Sequence, residues 1–406
     1  MRLSSLQIFS QGLVGITNAS AEVARTQEQI ATNRRVVNPS DDPIASTRIL
    51  ELETELSLST QYQRNADNIE GRLQRAETQI DSIEGAVDRI RELVIRAGNG
   101  GFTNDDRVQI TVEMEQRLQE VVDLVNSRDE TGAYIFSGFK SDTPAFSNNG
   151  SQYIYQGDEG VRYEQIANGL SVASNETGKA LFADIPAARN SVVATASFAN
   201  TSDVQVSVAR VADQTTFDTV FPEDYVIRFN GLGNVAPPGP NYTVTRSPDG
   251  QVISADVPFD LAMPIAINGV EITLTGTPAP NDTIVVESTS KQNMLNTLQN
   301  IVDNLATFGD PDERSAFIAD SLNNIDNIQT VLSSGRGRIG ARLNTIEATR
   351  ASQQSLDLIT NETLSELRDL DYAEAVSQLS FQSFVLEAAQ QSFVQVANLS
   401  LFNFLR

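Results

Sequence analysis

Cysteine, histidine and tryptophan do not occur among the 406 residues of this chain. Without cysteine there can be no disulfide, no zinc–thiolate site and no thiol nucleophile. Without histidine the commonest general base and metal ligand is gone, which excludes HExxH sites and the usual serine triads. A carboxylate-pair enzyme remains possible, and so does a serine–lysine one. Basic residues are scarce: 29 stand against 53 acidic ones, a net charge of −24. Phosphate recognition requires clustered lysine and arginine, so nucleic acid and anionic membrane are poor partners. No stretch reaches the roughly 18 apolar residues of a membrane span. "MRLSSLQIFSQGLVG" at the N-terminus lacks the continuous apolar region of a signal peptide. The expectation is a structural protein with no cofactor, no metal, no nucleic acid and no membrane insertion.

What is present is helical periodicity at both ends. Leu6, Phe9, Leu13, Ile16, Val23 and Ile30 are spaced alternately by three and four, with Ser20 and Gln27 filling the seam. "NPSDDP" (38–43) interrupts, and Asp42 at N-cap with Pro43 at the first helical position opens the next helix. A second seam runs through Tyr62, Ala66, Ile69, Leu73, Ala76, Ile80, Ile83, Val87, Ile90 and Val94, until "AGNGG" (97–101) stops it. Thr103 and Asp106 form a capping box for a third helix with Ile110, Met114, Leu118, Val121 and Val125 on one face. "AYIFSGF" (133–139) reads as a short strand.

Between 142 and 287 the pattern changes to period two, as in "DVQVSVA", "DYVIRFN" and "NYTVTR", with seventeen acidic against six basic residues. Asn268-Gly269 between two strand-like runs is a hairpin signal. Helix returns near 290, with Met294, Leu298, Ile301, Leu305 and Phe308 on one seam and Ile318, Leu322, Ile325, Leu332, Ile339, Leu343 and Ile346 on another. It continues through Val376, Leu379, Leu386, Phe393 and Val396. The predicted fold is therefore α + β and multidomain: a long antiparallel coiled-coil rod made of both termini, with an inserted all-β domain. Segment 44–97 alone would span about 80 Å as a helix, and such a helix needs partners.

The two ends are nearly free of charge. Residues 1–21 hold only Arg2, and 388–406 only Arg406. Phe381, Phe384 and Val385 lie off the main seam, and the tail closes on Leu401, Phe402 and Leu405. A helix apolar on more than one side is buried on more than one side. Ordering about twenty tail residues costs on the order of 20–40 kcal/mol, more than five buried tail side chains return at about 1.5–3 kcal/mol each. Periodicity alone is equally met by the two ends pairing as an ordinary coiled coil; the missing charges at both ends favour completion by neighbouring copies. The assembly candidates are Leu6, Phe9, Leu13, Ile16, Val376, Leu379, Leu386, Phe393, Val396, Leu401, Phe402 and Leu405.

"GRGRIG" (335–340) has the GxGxxG spacing, but it lies inside a helical seam with no strand before it. Its glycines are read as permitting close helix contact or a kink, and Arg336, Arg338 and Arg342 as pairing with acids on a neighbouring helix. Asp310, Asp312 and Glu313 complement a helix N-terminus.

"NRRVVNPSDDPIAST" (33–47), "RIRELVIRAGNG" (89–100) and "LRDLDYAEAVSQLS" (367–380), with a final "FLR", resemble the terminal signatures of bacterial flagellins. "GAYIFSGFKSDTPAF" (132–146) and "GRIGARLNTIE" (337–347) resemble the branch at the hook–filament junction; flagellins proper carry a stretch richer in Asn after these helices. The resemblance implies terminal helices 1–43 and 367–406 lining a tube, rod segments 44–141 (with a short hairpin) and 288–366, and an outward-facing β domain at 142–287. It implies hook-associated protein 1, flagellin, copies of the chain in a ring and an export chaperone as partners. It also implies an extracellular place on the flagellum, reached by type III export without a cleaved signal. A bulk filament flagellin and a surface adhesin are the alternatives.

Overall fold

The computed structural model describes the backbone of residues 5–149, 152–236, 238–308 and 310–404; the side chains of 5, 6, 8, 208 and 396–404 lie outside the description. The chain opens with helices α1 (Ser5–Thr32), α2 (Pro43–Ala97) and α3 (Asn104–Val125). Strands β1 (Phe146–Asn148), β2 (Tyr153–Tyr155), β3 (Tyr163–Ala167), β4 (Leu170–Ala173), β5 (Ile185–Ala196) and β6 (Gln205–Val211) follow. After the short helix α4 (Gln214–Val220) come β7 (Asp224–Phe229), β8 (Asn241–Ser247), β9 (Val252–Pro258), β10 (Ile265–Ile267), β11 (Val270–Thr275) and β12 (Thr283–Gln292). Helices α5 (Met294–Asn304), α6 (Pro311–Arg368) and α7 (Tyr372–Phe404) complete it. Two compact units result. One holds 1–66, 166–168 and 347–406; the other holds 67–165 and 169–346.

In the second unit the sequence seam is the core. Ile69, Leu73, Ile80, Ile83, Val87, Ile90 and Val94 of α2 are buried, as are Ile325, Leu332, Ile339 and Ile346 of α6. The helices run antiparallel, since Asp81 and Glu84 meet Arg336 while Arg91 meets Asp326 at 2.8 Å. The capping box of α3 is formed: Thr103 Oγ1 accepts from Asp106 N–H, and Thr103 N–H donates to Asp106 Oδ2 at 2.9 Å. All five expected apolar residues of α3 are buried.

The strand expected at 133–139 is not there. The segment makes one isolated bridge, Arg128 to Tyr134, and otherwise turns. Gly132 and Gly138 take positive φ (84° and 68°), which breaks an extended run. The carboxylates of Asp129 and Asp158 collect backbone N–H groups of Thr131, Ala133 and Phe139 that a ladder would have used.

The β region forms a five-stranded antiparallel sheet in the order β5-β12-β7-β8-β9 and a three-stranded sheet in the order β10-β11-β6. Their inner faces share one core, including Tyr225, Ile227, Phe229, Val244, Ile272, Ile284 and Val286. Asn268 and Gly269 take φ of 45° and 84°, the two left-handed positions of a type I′ hairpin joining β10 to β11. On the side of α6, Asn324 Oδ1 accepts from Ala188 N–H at 2.8 Å and Arg189 pairs with Asp320.

"GRGRIG" lies in mid-helix on α6. A Cβ at Gly335 would come within 2.4 Å of Leu181 Cδ2, so this glycine admits a close neighbour, while Gly337 and Gly340 face open space. Arg336 does pair with acids on a helix. Arg338 and Arg342 instead converge on the buried Glu176, which lies in the segment between β4 and a one-turn π-helix at 179–183. Spacing placed these charges on one face but carried no information about which element would lie opposite.

Candidate assembly surface

Each chain end contributes one helix to the first unit, and the two lie antiparallel. Phe9 packs on Phe393 with ring centroids 4.9 Å apart, and Thr26 Oγ1 donates to Gln382 Oε1 at 2.7 Å. Gly12 makes room for the Phe393 ring, because a Cβ there would sit 2.7 Å from Cδ2. Asp42 Oδ1 accepts from Ala45 N–H at 3.0 Å, and Pro43 is the first residue of α2. Asp371 Oδ1 accepts from Ala373 and Glu374 N–H at the start of α7.

The pair has almost no interior of its own. Among described side chains, Thr26 is the buried residue of α1 and Ala375 that of α7. Phe9, Leu13, Val14, Val376, Phe381, Phe384 and Val394 are each at least half exposed. Covering them would contribute about 5–10 kcal/mol in all. Charge does not guard this surface: α7 carries only Glu374 and Glu387, and α1 has no charge before Glu22. The structure brings together Phe9 and Phe393, leaves Leu13 and Val376 facing outward, and half-buries Ile16, Leu379 and Leu386. Leu405 and the side chains of Leu6, Val396, Leu401 and Phe402 lie outside the described residues.

The exposed apolar surface extends further than the terminal helices. Within the first unit, α2 and α6 bury Ser59, Gln353 and Thr360 alongside Ala45, Leu52, Ala66 and Leu364. Ser59 Oγ has no hydrogen-bond partner, and Gln353 Nε2 donates to the carbonyl of Ile166. Meanwhile Ile44, Leu50, Leu58, Leu356, Leu358 and Ile359 point outward, 45–85% exposed. Three polar side chains thus share a thin interior while six large apolar ones face outward, an exposed apolar surface of the kind that another surface can cover. Sequence reading missed these six. The signal was available in "LDLI" (356–359), where three apolar residues fall outside any three–four seam.

Among the described residues no group of three or more acids is placed to hold a metal ion, and no helix is long and apolar enough to cross a membrane.

Helical regions at both chain ends with a β region between them in sequence define a class of protein, and the comparisons identify it. The bacterial flagellin N-terminal helical region matches residues 4–141 and the flagellin C-terminal helical region matches 322–405. The chain belongs to the flagellin family. It is 31% identical over 185 residues to flagellar hook-associated protein 3 of Escherichia coli, a match covering 46% of this chain and 58% of that protein. It is 25% identical over 167 residues to a flagellar filament core protein of Treponema maltophilum, covering 41% of this chain and 58% of that one. The chain thus spans somewhat over half the length of the curated relatives it matches. Among solved structures, flagellar hook-associated protein 3 of Legionella pneumophila is similar, with TM-score 0.53 and 26% identity over 79% of this chain and 98% of that one.

Proposed function

We propose that the chain is a structural, non-catalytic subunit of the bacterial flagellum at the hook–filament junction. It joins a layer of hook-associated protein 1 to the flagellin filament by packing its terminal helices against neighbouring copies. The observation that carries this reading is the α1–α7 pair, nearly without charge, with seven large apolar side chains at least half exposed. Segments 1–43 and 367–406 line the tube, 44–141 and 288–366 form the rod, and the acidic 142–287 faces outward. Leu13 and Val376, exposed in the single chain, become interior in the ring, with Phe9, Ile16, Leu379, Leu386 and Phe393 beside them. Before assembly the chain passes through type III export, held by a chaperone. Similarity to hook-associated protein 3 of E. coli and L. pneumophila supports the junction over the filament.

The second reading, a bulk filament subunit, is favoured by the similarity to the T. maltophilum filament core protein. Immunogold labelling of isolated hook–filament particles separates the two. One band at the hook tip is expected; label along the whole filament would assign the chain to the filament. Deletion should leave bare hooks with flagellin released into the medium.

A further inference from the structure

The two corners of the first unit cap each other. One corner joins α1 to α2 at 33–42, and the other joins α6 to α7 at 369–371. Every helix leaves its last carbonyls without an intrahelical donor. At the end of α6 those carbonyls are met from the other limb of the chain. Arg35 N–H donates to Arg368 O at 2.7 Å, and its guanidinium Nη2 and Nε donate to Leu367 O at 2.9 and 3.2 Å. A cation at a helix C-terminus is also favoured by the helix dipole. The reverse contact exists as well. Tyr372, in the first turn of α7, donates its hydroxyl to Ile30 O in the last turn of α1, at 3.1 Å. Arg34 bridges to Asp369 between the two strapping bonds. Arg35 is itself held by Gln29, whose Nε2 donates to Arg35 O at 2.6 Å.

We propose that Arg35 and Tyr372 are positioning residues, a reciprocal clasp that fixes the register of α1 against α7. Within the helix pair the other specific contacts are the Thr26–Gln382 hydrogen bond and the Phe9–Phe393 contact seated over Gly12. The remaining apolar side chains are largely exposed, and such faces slide by a turn at small cost. With the clasp closed, the N-terminal and C-terminal helices are presented as one element. The use of that element rests on the assembly role proposed above, but the clasp itself belongs to the single chain and is tested there.

The absence of cysteine makes the test clean. A Thr26→Cys/Gln382→Cys pair reports correct register, and Thr26→Cys/Gln378→Cys reports a slip of one turn. In the full-length, unassembled chain, mild oxidation should link the first pair and leave the second largely unlinked. Adding R35A with Y372F should slow the first linkage by about five- to tenfold, the scale expected for losing charge-assisted and neutral hydrogen bonds at a half-exposed site, and should raise linkage of the slipped pair. Amide exchange at Ile69 to Val94 should not change. Unchanged linkage of both pairs would overturn the proposal. So would equal loss of protection throughout α2, which would make the two residues general stabilisers. Failure of the junction assignment would show instead in the labelling of hook–filament particles and would leave these linkage rates as expected.

Discussion

Replacing Phe381 and Phe384 together by serine separates what holds the single chain from what holds an assembly. Each ring is 68% exposed, so folding has withdrawn only a third of it from water. Full burial of such a side chain is worth about 1.5–3 kcal/mol. The free chain therefore stands to lose about 0.5–1 kcal/mol per ring, and a neighbour-covered ring about 1–2 kcal/mol more. The double variant should unfold within a few degrees of the parent. Its self-association, followed by sedimentation velocity, should weaken by about 30- to 1000-fold, the equivalent of about 2–4 kcal/mol. Ile83→Ala is the reverse control. Ile83 is fully buried in the second unit, and its truncation should cost the free chain about 2–5 kcal/mol. Association of F381S/F384S at parental strength would refute the reasoning. So would a loss of more than about 2 kcal/mol in the free chain, since either result would place these rings inside the monomer's own core.

Three further changes probe the second unit. Gly335→Ala should lower stability by about 1 kcal/mol, because the new Cβ meets buried Leu181; Gly337→Ala, in open space, should raise it by about 0.5–1 kcal/mol through helix propensity, and urea unfolding of both gives the two signs. Glu176→Gln removes the anion on which Arg342 (2.8 Å) and Arg338 (3.1 Å) converge and should cost about 1–3 kcal/mol by the same assay. Burial works against ionisation of Asp282, but hydrogen bonds from the Ser202 hydroxyl, Ala279 N–H and the Thr201 N–H and hydroxyl outweigh it and hold its carboxyl below the usual range. A depressed folded-state pKa gives stability that is complete above the ordinary carboxylate value and lost as pH falls through the lowered one. Thermal melts in acid should therefore show the parent losing stability relative to Asp282→Asn, with the difference closing at low pH.

Helix existence was legible because the second-unit seam is a packing record. Ile69 to Val94 repeat at three and four, and nothing polar competes, so periodicity and burial coincide. The Asn268-Gly269 hairpin and the Thr103/Asp106 cap were equally readable, since each depends on residues within four of one another. What failed was the chemistry of distant partners. "AYIFSGF" has strand-like side chains, but the N–H groups at its two ends go to carboxylates, Ala133 to Asp129 and Phe139 to Asp158, the latter nineteen residues beyond Phe139. Arg338 and Arg342 were expected to meet a helix and meet Glu176 in a connecting segment. At the candidate surface the difficulty is different. Apolar spacing shows that Phe393 and Phe381 both favour burial. It does not show that Phe9 already covers the first while the second is left outside. The clasp was invisible for a related reason, because its acceptors at Leu367, Arg368 and Ile30 are backbone carbonyls that leave no mark in side-chain pattern.

A chain of net charge −24 can stand beside copies of itself only where that charge is absent or screened. From Ser5 to Ala21 there is no charged residue, and α7 adds only two glutamates, so contact through these helices brings few like charges together. The remaining acids still repel over about a Debye length, roughly 10 Å at 0.1 M salt and 3 Å at 1 M. The proposed interface is apolar, and apolar burial is not weakened by screening. Raising sodium chloride from low to near-molar concentration should therefore strengthen self-association, with F381S/F384S remaining defective at every salt concentration. If salt instead dissolved the assembly, ion pairs such as Arg25 with Asp41 or Arg368 with Glu53 would have to be exchanged between copies. The exposed phenylalanines would then be bystanders to an electrostatic contact.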